Sequence, residues 1–185
     1  MTQTHLTAAD MLEALKMVGN LLDWPLEVEI LLIGGAAGML IGVLRPDRTT
    51  GDCDVADFAP SAAAAAVEQA AQMAATKMKL PPTWFNDQIR QLNVLPDGWR
   101  SRRQHIATYG KLKIYAACRL DLLAMKVFAH RAPDREDIAE MRITPDEVAF
   151  VRKYLNMLRT PCRKADLDQV ASAQEYLRLL EGQLP

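Results

Sequence analysis

Apolar positions from Ala8 to Leu22 recur at helical spacing, with Met11, Leu12, Leu15, Val18, Leu21 and Leu22 on one stripe. This predicts a first helix with Thr7 as its N-cap and Asp10 in the place of the capping-box acid. Trp24-Pro25 breaks it, and Glu27 to Ile33 then becomes wholly apolar, which predicts a strand running into Gly34-Gly35. Ala36 to Leu44 is small and apolar enough for a buried helix, Arg45 to Gly51 is a polar connection, and Asp52 to Phe58 reads as a second strand ending at Pro60. Ser61 caps an alanine-rich helix to about Lys79, where Pro81-Pro82 stop it. Residues 84–92 predict a short helix, and Asn93 to Leu95 is a brief strand-like run before the Pro96-Asp97-Gly98 turn. Gln104 to Tyr109 and Lys111 to Cys118 flank Gly110 as a hairpin. Helical periodicity returns in Asp121 to His130, Asp134 to about Arg142, Pro145 to Leu158 and Lys164 to Leu180; Thr144 and Glu147 form a second capping box.

These elements predict an α/β (α+β) fold, a small mixed sheet flanked by helices, with residues 1–142 as the core and 143–185 as a C-terminal helical extension packed on it. The 185 residues are 50% hydrophobic and 24% charged, the balance of a folded globular chain. No apolar run approaches the roughly 20 residues of a membrane span, and the polar start MTQTHLTAAD lacks a signal core, so a cytoplasmic location is expected. Cys53, Cys118 and Cys162 form no CxxC, and His5, His105 and His130 show no zinc spacing, so reduced thiols are expected. Net charge is −1 but uneven: residues 1–60 hold three Lys/Arg against nine Asp/Glu, and residues 81–119 hold seven against two. The basic segment is suited either to phosphates or RNA, or to a solvated strand pair that complements the acidic half.

The chemistry concentrates between Leu31 and Phe58. On a strand, residues i and i+2 share a face, so Asp52 and Asp54 point together while Cys53 and Val55 turn inward. By the same parity Asp57 falls on the opposite face. Two parallel carboxylates make an oxygen-rich site suited to a hard cation such as Mg²⁺. Gly34-Gly35 marks a tight exit where backbone approaches something closely. The spacing excludes a GxGxxG dinucleotide site, and no GK[ST] of a P-loop occurs.

Gly34-Gly35, Thr49, Thr50, Asp52 and Asp54 together resemble the nucleotidyltransferase superfamily of the DNA polymerase beta type, in which a glycine turn opens a helix and a DxD pair lies on the next strand. The stretch DLLAMKVFAHRAPDREDI, residues 121–138, is similar to the downstream motif of bacterial nucleotidyltransferase-like proteins related to the AbiEii-type toxins. The resemblance covers roughly residues 28–142. It implies a nucleotidyltransferase-like fold, NTP as substrate and Mg²⁺ as cofactor. It also implies an RNA or protein acceptor and a toxin-antitoxin or defence role; a separate possibility is a compact α/β scaffold whose C-terminal helices form a homodimer or bind a partner antitoxin.

Under this resemblance Asp52 and Asp54 are the catalytic and metal-holding pair. Gly34, Gly35 and Thr50 lie against the triphosphate, Lys126 places a point charge on phosphate, and Arg131 or Arg135 clamps phosphate or acceptor. Active members present a third carboxylate on a later strand, and no clear equivalent stands here: Asn93 occupies the strand-like run, while Asp87 and Asp97 sit in helix or turn contexts. Two readings follow, an active transferase and a nucleotidyltransferase-fold binding module without turnover. The Lys126 block has a second reading of its own, in which Lys126 snorkels from an apolar helix, Asp134 caps the next one, and Arg131, Arg135 and Asp137 form a structural ion-pair network.

Overall fold

A computed structural model describes residues 5–184. The chain divides into two compact units: everything up to Arg90 together with Arg103–Ala117, and Gln91–Arg102 together with the chain from Cys118 onward. Among the described residues no helix is long and apolar enough to cross a membrane.

The first unit is a five-stranded mixed sheet with helices. Its elements are α1 (Ala8–Leu21), β1 (Val28–Ile33), α2 (Gly34–Leu40), β2 (Cys53–Ala59), α3 (Ala64–Met78), β3 (Phe85–Asn86), β4 (Gln104–Tyr109) and β5 (Leu112–Ala116). Strand order is β3-β2-β1-β5-β4; β1 pairs antiparallel with β2 and parallel with β5, and β2 pairs parallel with β3. The central strand β1 buries Val28, Ile30, Leu31, Leu32 and Ile33, which is why its sequence reads as a continuous apolar run. Full burial of each such side chain contributes about 1.5–3 kcal/mol. Helix α1 carries the expected capping box of Thr7 and Asp10 and packs against α3, whose Ala70, Ala71, Ala74 and Ala75 allow close approach.

Two sequence expectations change here. Residues 84–92 are not one helix: Phe85–Asn86 pairs with Cys53 and Asp54, and Gln88–Leu92 is a short 3₁₀ turn. The cause is Trp84. It is fully buried, its indole Nε1 donates to the Ala71 carbonyl at 3.1 Å, and its own carbonyl accepts from the Cys53 amide at 2.5 Å. Anchored on both sides, the next two residues are drawn into the ladder.

The second change concerns Asp57. The register passes from Leu31–Asp57 to Leu32–Val55, leaving Ala56 as the extra residue of a β-bulge. Val55 and Ala56 are both buried, so the alternation of β2 changes phase at this point. Beyond the bulge Asp57 follows Asp54 onto the half-exposed side instead of opposing it.

The second unit is helical: α4 (Trp99–Arg102), α5 (Arg119–Ala129), α6 (Ala132–Met141), α7 (Pro145–Leu158) and α8 (Leu167–Glu181). Helix α5 packs on α6, α7 and α8. The Thr144–Glu147 capping box is formed as expected, and Arg119 Nε donates to Glu147 at 2.7 Å. Asn93 is in a left-handed turn rather than a strand, with its amide on the Cys162 carbonyl. Asp121 is fully buried and takes Nε and Nη2 of Arg102 at 3.2 and 2.7 Å.

Candidate functional site

Adjacent strands build the site. Ile33, the last residue of β1, pairs with Asp54 near the start of β2, and the chain then enters α2 at Gly34 with φ +67°. That backbone conformation favours glycine, and space demands it too: a Cβ on Gly34 would stand 2.8 Å from Asp54 Oδ2. On Gly35 it would stand 3.1 Å from Thr50 Oγ1. The glycine pair therefore lets backbone lie directly against a carboxylate and a hydroxyl.

Thr50 is 8% exposed and donates its hydroxyl to Asp52 Oδ1 at 3.0 Å. Its loop is fastened by two backbone hydrogen bonds to Leu6, at 2.8 and 3.0 Å. Asp52 lies just before β2 and is exposed; Asp54 is half-buried. On the far side of Asp54 stands Asn86, its register partner on β3, whose Nδ2 donates to Asp54 Oδ1 at 2.9 Å. The structure thus brings Gly34, Gly35, Thr50, Asp52 and Asp54 together, and adds Asn86.

Between the two aspartates Cys53 points into the core. Burial first, then the charges of Asp54 and Asp52, push its thiol far above the ordinary range, so it stays a neutral packing group. Beside Asn86 a cleft of about 420 Å³ opens between α3 and the segment after β3, with Glu68, Gln69, Gln72, Asn86 and Asp87 on its walls. Desolvation, followed by repulsion from Asp87, raises the pKa of Glu68. Among the described residues no group of three or more His, Cys, Asp or Glu side chains is placed to hold a metal ion.

The other expected residues lie in the helical unit. Lys126 is 5% exposed; its Nζ donates to Asp137 Oδ2 at 2.6 Å and to Asp134 Oδ1 at 3.3 Å. Arg131 Nε donates to the other oxygen of Asp134 at 2.8 Å. Arg135 is exposed, donates Nε to the His130 carbonyl at 2.9 Å and lies over the Tyr176 ring. The geometry of this block is that of an ion-pair network joining α5 to α6, with Lys126 bonded to two buried aspartates.

Against this geometry, a family model described as a nucleotidyltransferase of unknown function (DUF6036) matches residues 9–156. The chain belongs to this family. No curated protein and no solved structure matches it. Membership in a nucleotidyltransferase family fits a glycine turn and a DxD strand meeting at one end of a mixed sheet, and it implies NTP as substrate.

Two contributors to this arrangement escape sequence reasoning. Asn86 is hidden because its strand is two residues long, although a buried aromatic pair, Trp84-Phe85, placed between Pro81-Pro82 and Asp87 is the signal that could have shown it. Leu6 is a single isolated bridge partner of Thr50, and nothing in its neighbourhood marks it.

Proposed function

We propose that the domain binds an NTP with Mg²⁺ at Gly34, Gly35, Thr50, Asp52 and Asp54 and transfers a nucleotidyl group to an acceptor hydroxyl. One observation carries this reading: Asp54 Oδ2 fills the space that a side chain on Gly34 would take, which joins the glycine turn to the DxD strand. In the transfer the acceptor oxygen bonds to the α-phosphorus, the bond to the β-phosphate oxygen breaks, and pyrophosphate leaves with both electrons of that bond. The acceptor proton passes to solvent or a carboxylate.

The donors fit a hard cation. Asp52 and Asp54 supply anionic oxygens and Thr50 a neutral one, a set that suits one Mg²⁺ retaining water ligands. When bound, the ion neutralises phosphate charge. The protein's own part is positioning: the Gly34-Gly35 backbone admits the phosphates closely, and Thr50 holds Asp52.

The cleft beside Asn86 is the proposed place of the acceptor. Glu68 and Asp87 on its walls disfavour a polyanion, so a polypeptide hydroxyl fits it better than RNA. Incubation with each α-labelled NTP, Mg²⁺ and a cell extract tests both points. The expected result is label on protein that disappears with Asp52→Ala together with Asp54→Ala. Label on RNA would overturn the acceptor assignment, and unchanged Mg²⁺-dependent NTP binding in the double variant would overturn the site.

A second reading, binding without turnover, is favoured by Asn86: an uncharged amide, not a carboxylate, faces Asp54 from the next strand. NTP binding with no label transfer to any acceptor supports that reading. The toxin-type role with an antitoxin or homodimer at the C-terminal helices is a finer proposal. Growth arrest on expression, relieved by the same double variant, tests the role; light scattering of the full chain tests self-association.

A further inference from the structure

We infer that Asn86 is a positioning residue that fixes the Asp54 carboxylate for a single divalent cation. The inference rests on the nucleotide-site reading above and goes beyond it, because neither the glycine turn nor the DxD pair calls for a residue from β3. Both ends of the Asn86 side chain are held. Its Nδ2 donates to Asp54 Oδ1 at 2.9 Å, and its Oδ1 accepts from the Gln88 backbone amide at 3.1 Å. A carboxylate can only accept and a backbone N–H can only donate, so the orientation of the amide is dictated by its partners.

Strand pairing brings Asn86 level with Asp54, and buried Trp84 two residues earlier sets that register. The consequence for Asp54 is geometric. Oδ1 is engaged by Asn86 and Oδ2 lies over Gly34, so the plane of the carboxylate is set from two sides. Hydrogen bonds of this kind to a ligating carboxylate set its orientation and tune its affinity for the metal. Charge is the second consequence. An acid at this position would bring two acceptors face to face and add a third anion, whereas the amide steadies Asp54 without charge.

Mn²⁺ is the probe, followed by electron paramagnetic resonance during titration of the full chain. Asn86→Ala removes the amide, and Asn86→Leu fills its volume without donating. Each is expected to weaken Mn²⁺ binding by about 10–100-fold. Metal-free thermal unfolding should stay within a few degrees of wild type in at least one of them. Wild-type affinity in both variants, alongside loss of binding in the Asp52→Ala, Asp54→Ala double variant, would overturn the role of Asn86 alone. So would a loss of binding that merely tracks the unfolded fraction. Wild-type Mn²⁺ binding in the double variant would overturn the underlying site, and the inference with it.

Discussion

Replacing Gly34 by alanine imposes two separable costs. The first is backbone: at φ +67° an L-residue is in the left-handed region, which costs about 1–2 kcal/mol. The second is contact. The new Cβ would stand 2.8 Å from Asp54 Oδ2, so the carboxylate must turn, and turning breaks the 2.9 Å bond from Asn86. For a half-buried, charge-assisted bond that adds about 1–2 kcal/mol. Gly42 supplies the control: its φ is +69°, and a Cβ there meets nothing within 4 Å. Gly42→Ala therefore carries the backbone cost alone. By equilibrium urea unfolding, Gly34→Ala is expected to lose roughly 2–4 kcal/mol and Gly42→Ala roughly 1–2 kcal/mol. Only Gly34→Ala should also weaken Mn²⁺ binding. Equal losses in the two variants with metal affinity unchanged would show that Asp54 is not seated against the glycine turn, and the assignment of the site would fail with it.

Lys126→Met leaves Asp134 and Asp137 facing each other in a buried place, and is expected to destabilise by about 3–5 kcal/mol in the same unfolding assay; a loss below 1 kcal/mol would show the network to be slack. Glu147 supplies a pH test. Burial acts to raise its pKa, but hydrogen bonds from Arg119 and Thr144 outweigh this and the net shift is downward. A carboxylate with a depressed folded pKa adds stability above its unfolded value near 4.5, and that stability is lost as pH falls through the folded pKa. Glu147→Gln should thus lower thermal stability at pH 7, with the gap to wild type closing below about pH 4; a gap independent of pH would refute this.

Periodicity carried most of the architecture. The apolar run before Gly34 is a central strand because only a strand covered on both faces has no polar alternation, and α7 begins and ends where Thr144 and the Leu158 stripe indicate. The two-carboxylate pattern was also legible, since Cys53 and Val55 do turn inward. What periodicity misses is anything settled by a distant partner. Residues 84–92 score as helix locally, and Trp84 overrides that preference by bonding to α3 and β2. Parity failed at Asp57 because one unpaired residue, Ala56, has no sequence mark. The two aspartate partners of Lys126 were not legible because they lie on the next helix, α6, which begins only after the turn at His130 and Arg131.

The bulge at Ala56 makes the two halves of β2 obey different counting rules. Up to Val55 the even-numbered positions look outward; from Asp57 the odd-numbered ones do. Removing Ala56 itself would close the bulge and restore strict alternation, with Asp57 still outward and Phe58 still inward, and exchanging it for another small residue leaves every other side chain where it is. Position 56 is thus the one place in this strand where a residue can be lost while both halves keep the faces they now present.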